Sequence, residues 1–210
     1  MVGAAAGRAD LVVPALPVIL QADPAEDVPP LRPPSPPDGN VDKQAIDQLW
    51  DQIRQKYGVY IRLIERLPES SLQTRPVERM RSPAELVTHV SGTVVRDIAQ
   101  GVAVGEIVAR EEAEAGVATG LRSRAEAVAF AAECWELADA AVAPTGDAEL
   151  AAMVPTPWDM TAPGWVFFHV MNDELVHHRG QLYVFARLLG VEPPFIWSHE
   201  ENPPRFRPAA

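Results

Sequence analysis

Four long stretches of the sequence carry apolar residues three and four positions apart, which is the spacing of one face of an α-helix. Helices of about twenty residues that each bury one apolar face pack most economically against one another as a bundle. The sequence therefore predicts an all-α protein built as a four-helix bundle. The four stretches are residues 42–67, a segment that opens at Ser82, residues 123–142 and residues 163–189.

The ends of these stretches carry signals that start and stop helices. Ser82, Pro83 and Glu85 combine an N-cap, a proline in the first turn and the glutamate of a capping box. Ser123 opens a second capping box, and Gly190 follows the last stretch at a position suited to a left-handed C-terminal residue. These signals favour helices over strands.

Proline divides the chain into segments. The protein has 21 prolines in 210 residues, and nine of them lie within residues 1–40, where no periodic apolar pattern is present. Proline fixes φ and lacks an amide donor, so this segment is predicted to be an irregular, flexible arm. We therefore expect a proline-rich arm at residues 1–40, the bundle at residues 41–197 and a proline-rich C-terminal tail at residues 198–210.

Charge and cysteine content exclude several classes of protein. The chain has 18 basic and 29 acidic residues and a net charge of -11, so a surface for nucleic acid or an anionic membrane is not expected. Pro14 and Pro17 interrupt the one apolar run that resembles a signal peptide, and no run approaches the ~20 residues of a membrane span. The single cysteine, Cys134, lies among apolar residues of the third helix and is predicted to be a small core residue. A cytoplasmic protein is the simplest expectation.

The fourth helix places polar residues in the middle of its apolar stripe. Glu174, His178 and Gln181 fall at the centre of the face that also carries Phe167, Val170, Met171, Leu182, Phe185, Leu188 and Leu189. A carboxylate four residues before an imidazole puts both on one side of a helix. Burial of that carboxylate would require a compensating charge, proton or metal ion.

A third ligand is available on the second helix. His89 lies beside the apolar stripe of that helix, with Thr93 and Asp97 further along the same edge. Ligands on facing helices of a bundle converge inward, so His89, Glu174 and His178 are predicted to form a two-histidine, one-carboxylate metal site with open positions. Such a site suits zinc, nickel, iron(II) or manganese, and the ion would activate a water or a thiol.

Other arrangements of the same residues are possible. Glu174 and His178 can pair with each other, with Gln181 or with an arginine to form a metal-free polar layer. His169, Asp173 and His177 form a competing row along the edge of the fourth helix. Trp158 and Trp165, which precede this helix, are candidates to roof a pocket at the end of the bundle.

Two segments resemble a known family. The stretch from Asn172 to Pro194 resembles the last-helix signature of the DinB/YfiT-like superfamily, most specifically at residues 178–181 (His-Arg-Gly-Gln) and 187–190 (Arg-Leu-Leu-Gly). Residues 82–90 resemble the second helix of that family, which carries its first metal-binding histidine. The resemblance covers residues 42 to about 197. It implies a four-helix bundle, often a homodimer, in which many members bind a divalent metal through three histidines.

The resemblance also implies a function, and one ligand departs from it. Relatives include metal-dependent hydrolases and enzymes that use low-molecular-weight thiols such as bacillithiol or mycothiol. The usual last-helix pair is His-x-x-x-His, whereas here Glu174 occupies the first position and His178 the second. The preferred hypothesis is a metalloenzyme that uses His89, Glu174 and His178 to hydrolyse or transfer a thiol to a small electrophilic substrate. The alternative is a non-catalytic, metal-free bundle that acts as a binding or dimerising protein.

Overall fold

The computed structural model describes residues 42–108 and 110–208, so the predicted arm at residues 1–40 lies outside the described residues. The fold is helical, with one small antiparallel sheet, and the predicted all-α bundle is confirmed. The elements are α1 (Lys43–Arg66), α2 (Pro83–Thr88), a π-helix (His89–Asp97), α3 (Ile98–Val104), α4 (Glu111–Gly120), α5 (Arg124–Val142), α6 (Asp147–Ala151), β1 (Met153–Pro155), β2 (Thr161–Pro163), α7 (Gly164–Leu188) and two short 3-10 helices, His199–Glu201 and Pro204–Phe206, with a further 3-10 turn at Glu69–Ser71.

Capping side chains begin α1, α2 and α5. The Asp42 carboxylate accepts from the backbone of Ala45 at 2.9 Å, and both predicted capping boxes, which open at Ser82 and Ser123, are present. The end of α7 is also as predicted, because Gly190 has a φ of 73°. The backbone N–H of Gly190 donates to the carbonyl of Arg187, and that of Val191 donates to the carbonyl of Ala186, which completes a Schellman motif.

The core lies between α1, α5, α7 and the continuous second helix formed by α2, the π-helix and α3. Trp50 of α1 stacks on Trp135 of α5 with ring centroids 4.5 Å apart, and the Tyr57 hydroxyl donates to the carbonyl of Ala131 at 2.9 Å. Burial of each such large side chain contributes roughly 1.5–3 kcal/mol. These contacts join α1 to α5, the two long helices that pack beside those carrying the candidate site.

The second helix changes its hydrogen-bond pattern where the candidate site begins. Residues His89–Asp97 are π-helical, and the Thr88 hydroxyl donates to the carbonyl of Ala84 at 2.9 Å directly before them. A side chain that bonds its own helix in this way locally competes with the α-helical ladder. Wider π-turns occur often at functional sites. His89 is the first residue of this turn.

Two leucines at the end of α7 do not belong to the buried face. Leu188 and Leu189, predicted to lie on the apolar stripe, are 72% and 41% exposed. They occupy the last turn of the helix, next to the Schellman motif, so no neighbouring helix covers them. The face is buried only as far as Phe185 and Ala186.

The C-terminal residues pack on the bundle. The Asn202 side chain donates to the carbonyl of Gln55 at 2.9 Å, and Phe206 lies 5.8 Å from Tyr57 between ring centroids. The Arg62 guanidinium donates to the carbonyl of Ser198 at 2.8 Å. Much of the segment predicted as a tail is thereby held against α1.

The structure adds elements that the helical pattern does not predict. These are α4, α6 and the hairpin of β1 and β2, in which Val154 pairs with Ala162. The hairpin lies in the proline-containing segment between α5 and α7. Within the described ranges, no helix has the length and hydropathy that crossing a membrane requires.

Candidate metal centre

The fold brings the three predicted ligands together. His89 begins the π-helix, whereas Glu174 and His178 lie one turn apart on α7, and one potential ligand atom of each lies within 4.8 Å of the others. The imidazole rings of His89 and His178 are perpendicular, with centroids 4.9 Å apart. Among the side chains that the structure describes, this is the one group of three or more histidines, cysteines or carboxylates placed to share a metal ion.

Hydrogen bonds fix the orientation of His178. Its Nδ1 atom lies 2.9 Å from Oε1 of Gln181, and the Gln181 Nε2 atom lies 3.1 Å from Nε2 of His177. An amide oxygen can only accept, so Nδ1 of His178 carries the proton and donates. The Nε2 atom of His178 is therefore left as the nitrogen that can bind a metal ion.

Glu174 approaches this nitrogen from the solvent side. Its Oε2 atom is 3.1 Å from Nε2 of His178, but its side chain is 44% exposed whereas that of His178 is 7% exposed. The prediction of a carboxylate in the core is therefore wrong. Helical spacing correctly predicts the side of α7 on which Glu174 lies. How far its side chain is buried depends on how much of α7 is covered by α2 and the π-helix. Solvent accounts for part of the charge compensation that burial would otherwise require.

Burial sets the charge state of His178. Desolvation lowers the pKa of His178, and the nearby rings of His89 and His177 lower it further, whereas Gln181 and Glu174 raise it. The net direction is downward from 6.5, so the neutral imidazole is favoured near pH 7. Neutral imidazole is the form that donates a lone pair to a metal.

Glu114 of α4 completes the surroundings of His89. Its Oε1 atom lies 3.2 Å from Nδ1 of His89, within ion-pair range although without the alignment of a hydrogen bond. Its Oε2 atom accepts a hydrogen bond from the Thr93 hydroxyl at 2.9 Å. Burial alone would raise the pKa of Glu114, but its contacts with His89 and Thr93 outweigh burial and lower it. Glu114 is thus an anion held against His89.

Sequence reasoning missed Glu114. The apolar residues of α4 are three alanines and one valine, so helical periodicity gives little signal there, and a glutamate in an acidic run resembles a solvated surface. A carboxylate that orients the far nitrogen of a ligating histidine is a regular partner of metal sites. With Nδ1 of His89 facing Glu114, Nε2 is the atom of that ring available to a metal.

The donor set fits a divalent transition metal. Two donors about 2.1 Å from one ion, at a tetrahedral angle, lie roughly 3.4 Å apart. The distance of 3.1 Å between His178 Nε2 and Glu174 Oε2 is close to this value. Two imidazoles and a carboxylate suit zinc, nickel, iron(II) and manganese, and three protein ligands leave positions open for water or substrate.

A cleft of about 750 Å³ opens beside His89. Trp158, one of the two candidates to roof a pocket, lines it, and it lies in the tight loop between β1 and β2, in which Asp159 has a φ of 59°. Trp165 instead packs against His169. The lining side chains are Arg75, Arg81, Glu85, His89, Thr93, Arg110, Glu114, Ala115, Ala118, Pro157 and Trp158.

The remaining candidates lie elsewhere. His169, Asp173 and His177 are all exposed, and they do not form a metal-binding group. Cys134 is buried in the core as predicted, where burial raises the pKa of its thiol to about 12. A thiol in this state is a poor nucleophile.

Comparison with known proteins agrees with the fold. The sequence model of the DinB superfamily matches residues 52–182. The structure resembles that of the DinB-like protein YjoA from Bacillus subtilis, with a TM-score of 0.57 and 19% identity over 71% of this chain and 96% of the other. It also resembles a DinB-like protein from Bacillus cereus, with a TM-score of 0.58 and 17% identity over 73% of this chain and 97% of the other. No protein of curated function matches the chain significantly. Because the family match spans more than half of the sequence, the chain belongs to the DinB superfamily.

Proposed function

We propose that the protein is a metal-dependent enzyme in which His89, Glu174 and His178 hold a divalent ion. The observation that carries the proposal is the convergence of these three side chains within 4.8 Å, with the Nδ1 atoms of both rings turned toward oxygen acceptors. A metal-free layer of hydrogen bonds does not require that the Nε2 atoms of two imidazoles face the same point. Metal sites regularly have this arrangement.

The proposed chemistry is activation of a water or a low-molecular-weight thiol against a small electrophile. When bound, the ion would lower the pKa of the water or thiol and hold it as a nucleophile. Gln181 keeps the His178 ring in position through Nδ1, and Glu114 does so for His89. The cleft beside His89 supplies room for the electrophile, and the carboxylate of Glu114, which lines it, could accept a proton from the nucleophile.

One observation favours the alternative of a metal-free bundle. The Nε2 atom of His178 and the Oε2 atom of Glu174 are close enough to form an imidazolium–carboxylate pair without any ion. In that arrangement the layer would be a hydrogen-bonded part of the bundle, and the protein would act by binding or dimerising. Burial of His178 disfavours the imidazolium, which weakens this alternative.

The two functions predict different responses to metal. Purified protein would be stripped with a chelator, reloaded with zinc, nickel, iron(II) or manganese, and assayed for ester hydrolysis and for transfer of bacillithiol or mycothiol to an electrophilic dye. We expect turnover that disappears with chelator and returns with metal, together with a melting temperature that rises on reloading. His178→Ala should lose both effects, and the matched control His169→Ala should keep them.

A different set of results would contradict the proposed metal-dependent function. If the metal changes neither the melting temperature nor the turnover of the wild type, whereas His178→Ala only lowers stability, the metal-free bundle is the better account. The homodimer and the cytoplasmic location remain predictions. Sedimentation equilibrium of the full chain would test the first of them.

A further inference from the structure

The cleft beside His89 is lined by positive charge in an acidic protein. Three arginines, Arg75, Arg81 and Arg110, face it, although the chain as a whole carries a net charge of -11. Two carboxylates, Glu85 and Glu114, line the same cleft. Whether the arginines are available to a ligand depends on how these carboxylates are engaged.

Both carboxylates already have partners. Glu85 forms an ion pair with Arg75 and accepts from the backbone N–H of Ser82 at 2.7 Å. Glu114 is held by His89 and Thr93. In the described ranges, Arg81 forms no ion pair with any carboxylate. Arg81 helps to lower the pKa of Glu114 through space, but no carboxylate whose side chain is described occupies the fork of donors on its guanidinium.

Arg81 lines two cavities beside the candidate metal centre. It lines the larger cleft together with His89, and it also lines a cavity of about 270 Å³ together with His178 and Gln181. A ligand held by this guanidinium in the larger cleft would share that cleft with His89. Arg110 adds a further guanidinium to the larger cleft, and its Nε atom lies 4.0 Å from the Oδ1 atom of Asp97.

The rest of the lining is apolar. Ala115, Ala118, Pro157 and Trp158 form a wall beside the arginines. A guanidinium presents a planar fork of donors that matches a carboxylate, whereas an indole and small aliphatic side chains favour an apolar body. A cleft of about 750 Å³ is within the usual size for small-molecule sites.

We propose that this cleft binds a small organic carboxylate with an apolar body, with its carboxylate on Arg81 and its apolar part against Trp158. The proposal rests on the proposed function, because it names the substrate class of the same site. It predicts a specificity that the metal ligands alone would not give. Neutral analogues of the same shape should bind poorly.

The test follows the indole N–H signal of Trp158 in the full, ¹⁵N-labelled chain, assigned with Trp158→Phe. Phenylacetate and its neutral analogue phenylacetamide would be titrated into zinc-loaded and into chelator-treated protein. We expect phenylacetate to shift the signal saturably in both states, and phenylacetamide to bind at least about tenfold more weakly, because it lacks the charge-assisted hydrogen bonds.

Variants identify the residue responsible. Arg81→Gln should raise the Kd for phenylacetate about tenfold or more, and Arg81→Lys, which keeps the charge, should recover part of the affinity. Arg124→Gln is the matched control, because Arg124 is an exposed arginine that pairs with Glu69 away from the cleft. Melting temperatures of all variants would establish that each is folded.

Two results would overturn the proposal: equal affinity of wild type and Arg81→Gln for phenylacetate, or equal binding of acid and amide. Binding that requires zinc and ignores Arg81 also overturns it, since the carboxylate would then be a metal ligand, and it leaves the metal centre intact. Binding that depends on Arg81 in a protein that takes up no metal supports the cleft and contradicts the proposed function. The two proposals can therefore fail separately.

Discussion

The Nε2 atom of His178 lies 3.1 Å from Oε2 of Glu174 on the preceding turn of α7, while Gln181 engages the other nitrogen of the same ring. With the proton on Nδ1, the close contact joins a lone pair to a carboxylate oxygen. Such a contact is repulsive unless a cation, either a proton or a metal ion, lies between the two atoms. The predictions concerning Glu174 and Glu114 test which cation it is.

Substitution of Glu174 should change metal affinity more than stability. Glu174→Gln removes the anionic ligand, so we expect zinc affinity to fall at least about tenfold, whereas the free energy of unfolding of the metal-free protein changes by less than ~1 kcal/mol because the side chain is 44% exposed. Glu174→His restores the family's His-x-x-x-His pattern and should bind zinc at least as tightly as the wild type. Competition with a chromophoric chelator measures both affinities. Equal affinity of wild type and Glu174→Gln would exclude Glu174 as a ligand.

Glu114 should influence the metal without binding it. Glu114→Gln removes the charge that faces Nδ1 of His89, and loss of such an orienting carboxylate typically costs ~10–100-fold in metal affinity. The control is Glu136→Gln, which removes a surface carboxylate paired with Arg205. The same competition titration applies. If the two variants bind zinc equally well, Glu114 has no positioning role.

Packing of the C-terminal segment on α1 depends on Gly58. A Cβ atom at this position would lie 2.5 Å from both Asn202 Nδ2 and Phe206 Cβ, so Gly58→Ala must displace the segment. We expect the free energy of unfolding to fall by about 1–3 kcal/mol. Gly116→Ala is the matched control, since its Cβ would meet nothing within 4 Å, and alanine in a helix should be neutral or stabilising. Chemical denaturation distinguishes the two, and a neutral Gly58→Ala would mean that the segment does not pack as described.

Stability should fall at alkaline pH, in part because of Cys134. Burial raises the pKa of its thiol to about 12 in the folded protein, whereas an unfolded cysteine titrates near ~8.5. Between these values the unfolded state releases a proton that the folded state keeps, so stability is full below the lower pKa and falls as pH rises toward the higher one. Burial also raises the pKa of Tyr57 and Tyr60, which adds to the fall.

Cys134→Ala isolates the thiol from the tyrosines. The variant should be less stable than the wild type near pH 7, because a buried side chain is truncated, but its stability should fall less steeply above about pH 9. Urea denaturation at several pH values gives both slopes. Parallel slopes would show that the thiol titrates alike in the folded and unfolded protein.

The parts of the fold that the sequence predicts best are those set by short-range signals at the ends of helices. The capping boxes at Ser82 and Ser123 and the Schellman glycine Gly190 are short-range devices, and each is found where it is predicted. Helix α4 lacks such signals and is held by tertiary contacts instead. The Gln73 amide donates to the carbonyls of Ala118 and Leu121 at 2.9 and 2.8 Å, and no periodicity reports contacts of this kind.

The same distinction applies to the candidate site. His89 and His178 are predicted from helical position and from the family resemblance, and the structure brings them together. The exposure of Glu174 and the participation of Glu114 depend on where neighbouring helices end and which helix covers the mouth of the cleft. These are properties of packing between elements that are distant in sequence.

The central claim is that His89, Glu174 and His178 share one metal ion, and an anomalous-scattering map of crystals grown with zinc tests it most directly. We predict a single strong peak about 2.0–2.2 Å from a nitrogen of each histidine and from a Glu174 oxygen, and no peak there in crystals of His178→Ala. No peak at this position in the wild type, or a peak on His169 or His177 instead, would contradict the account.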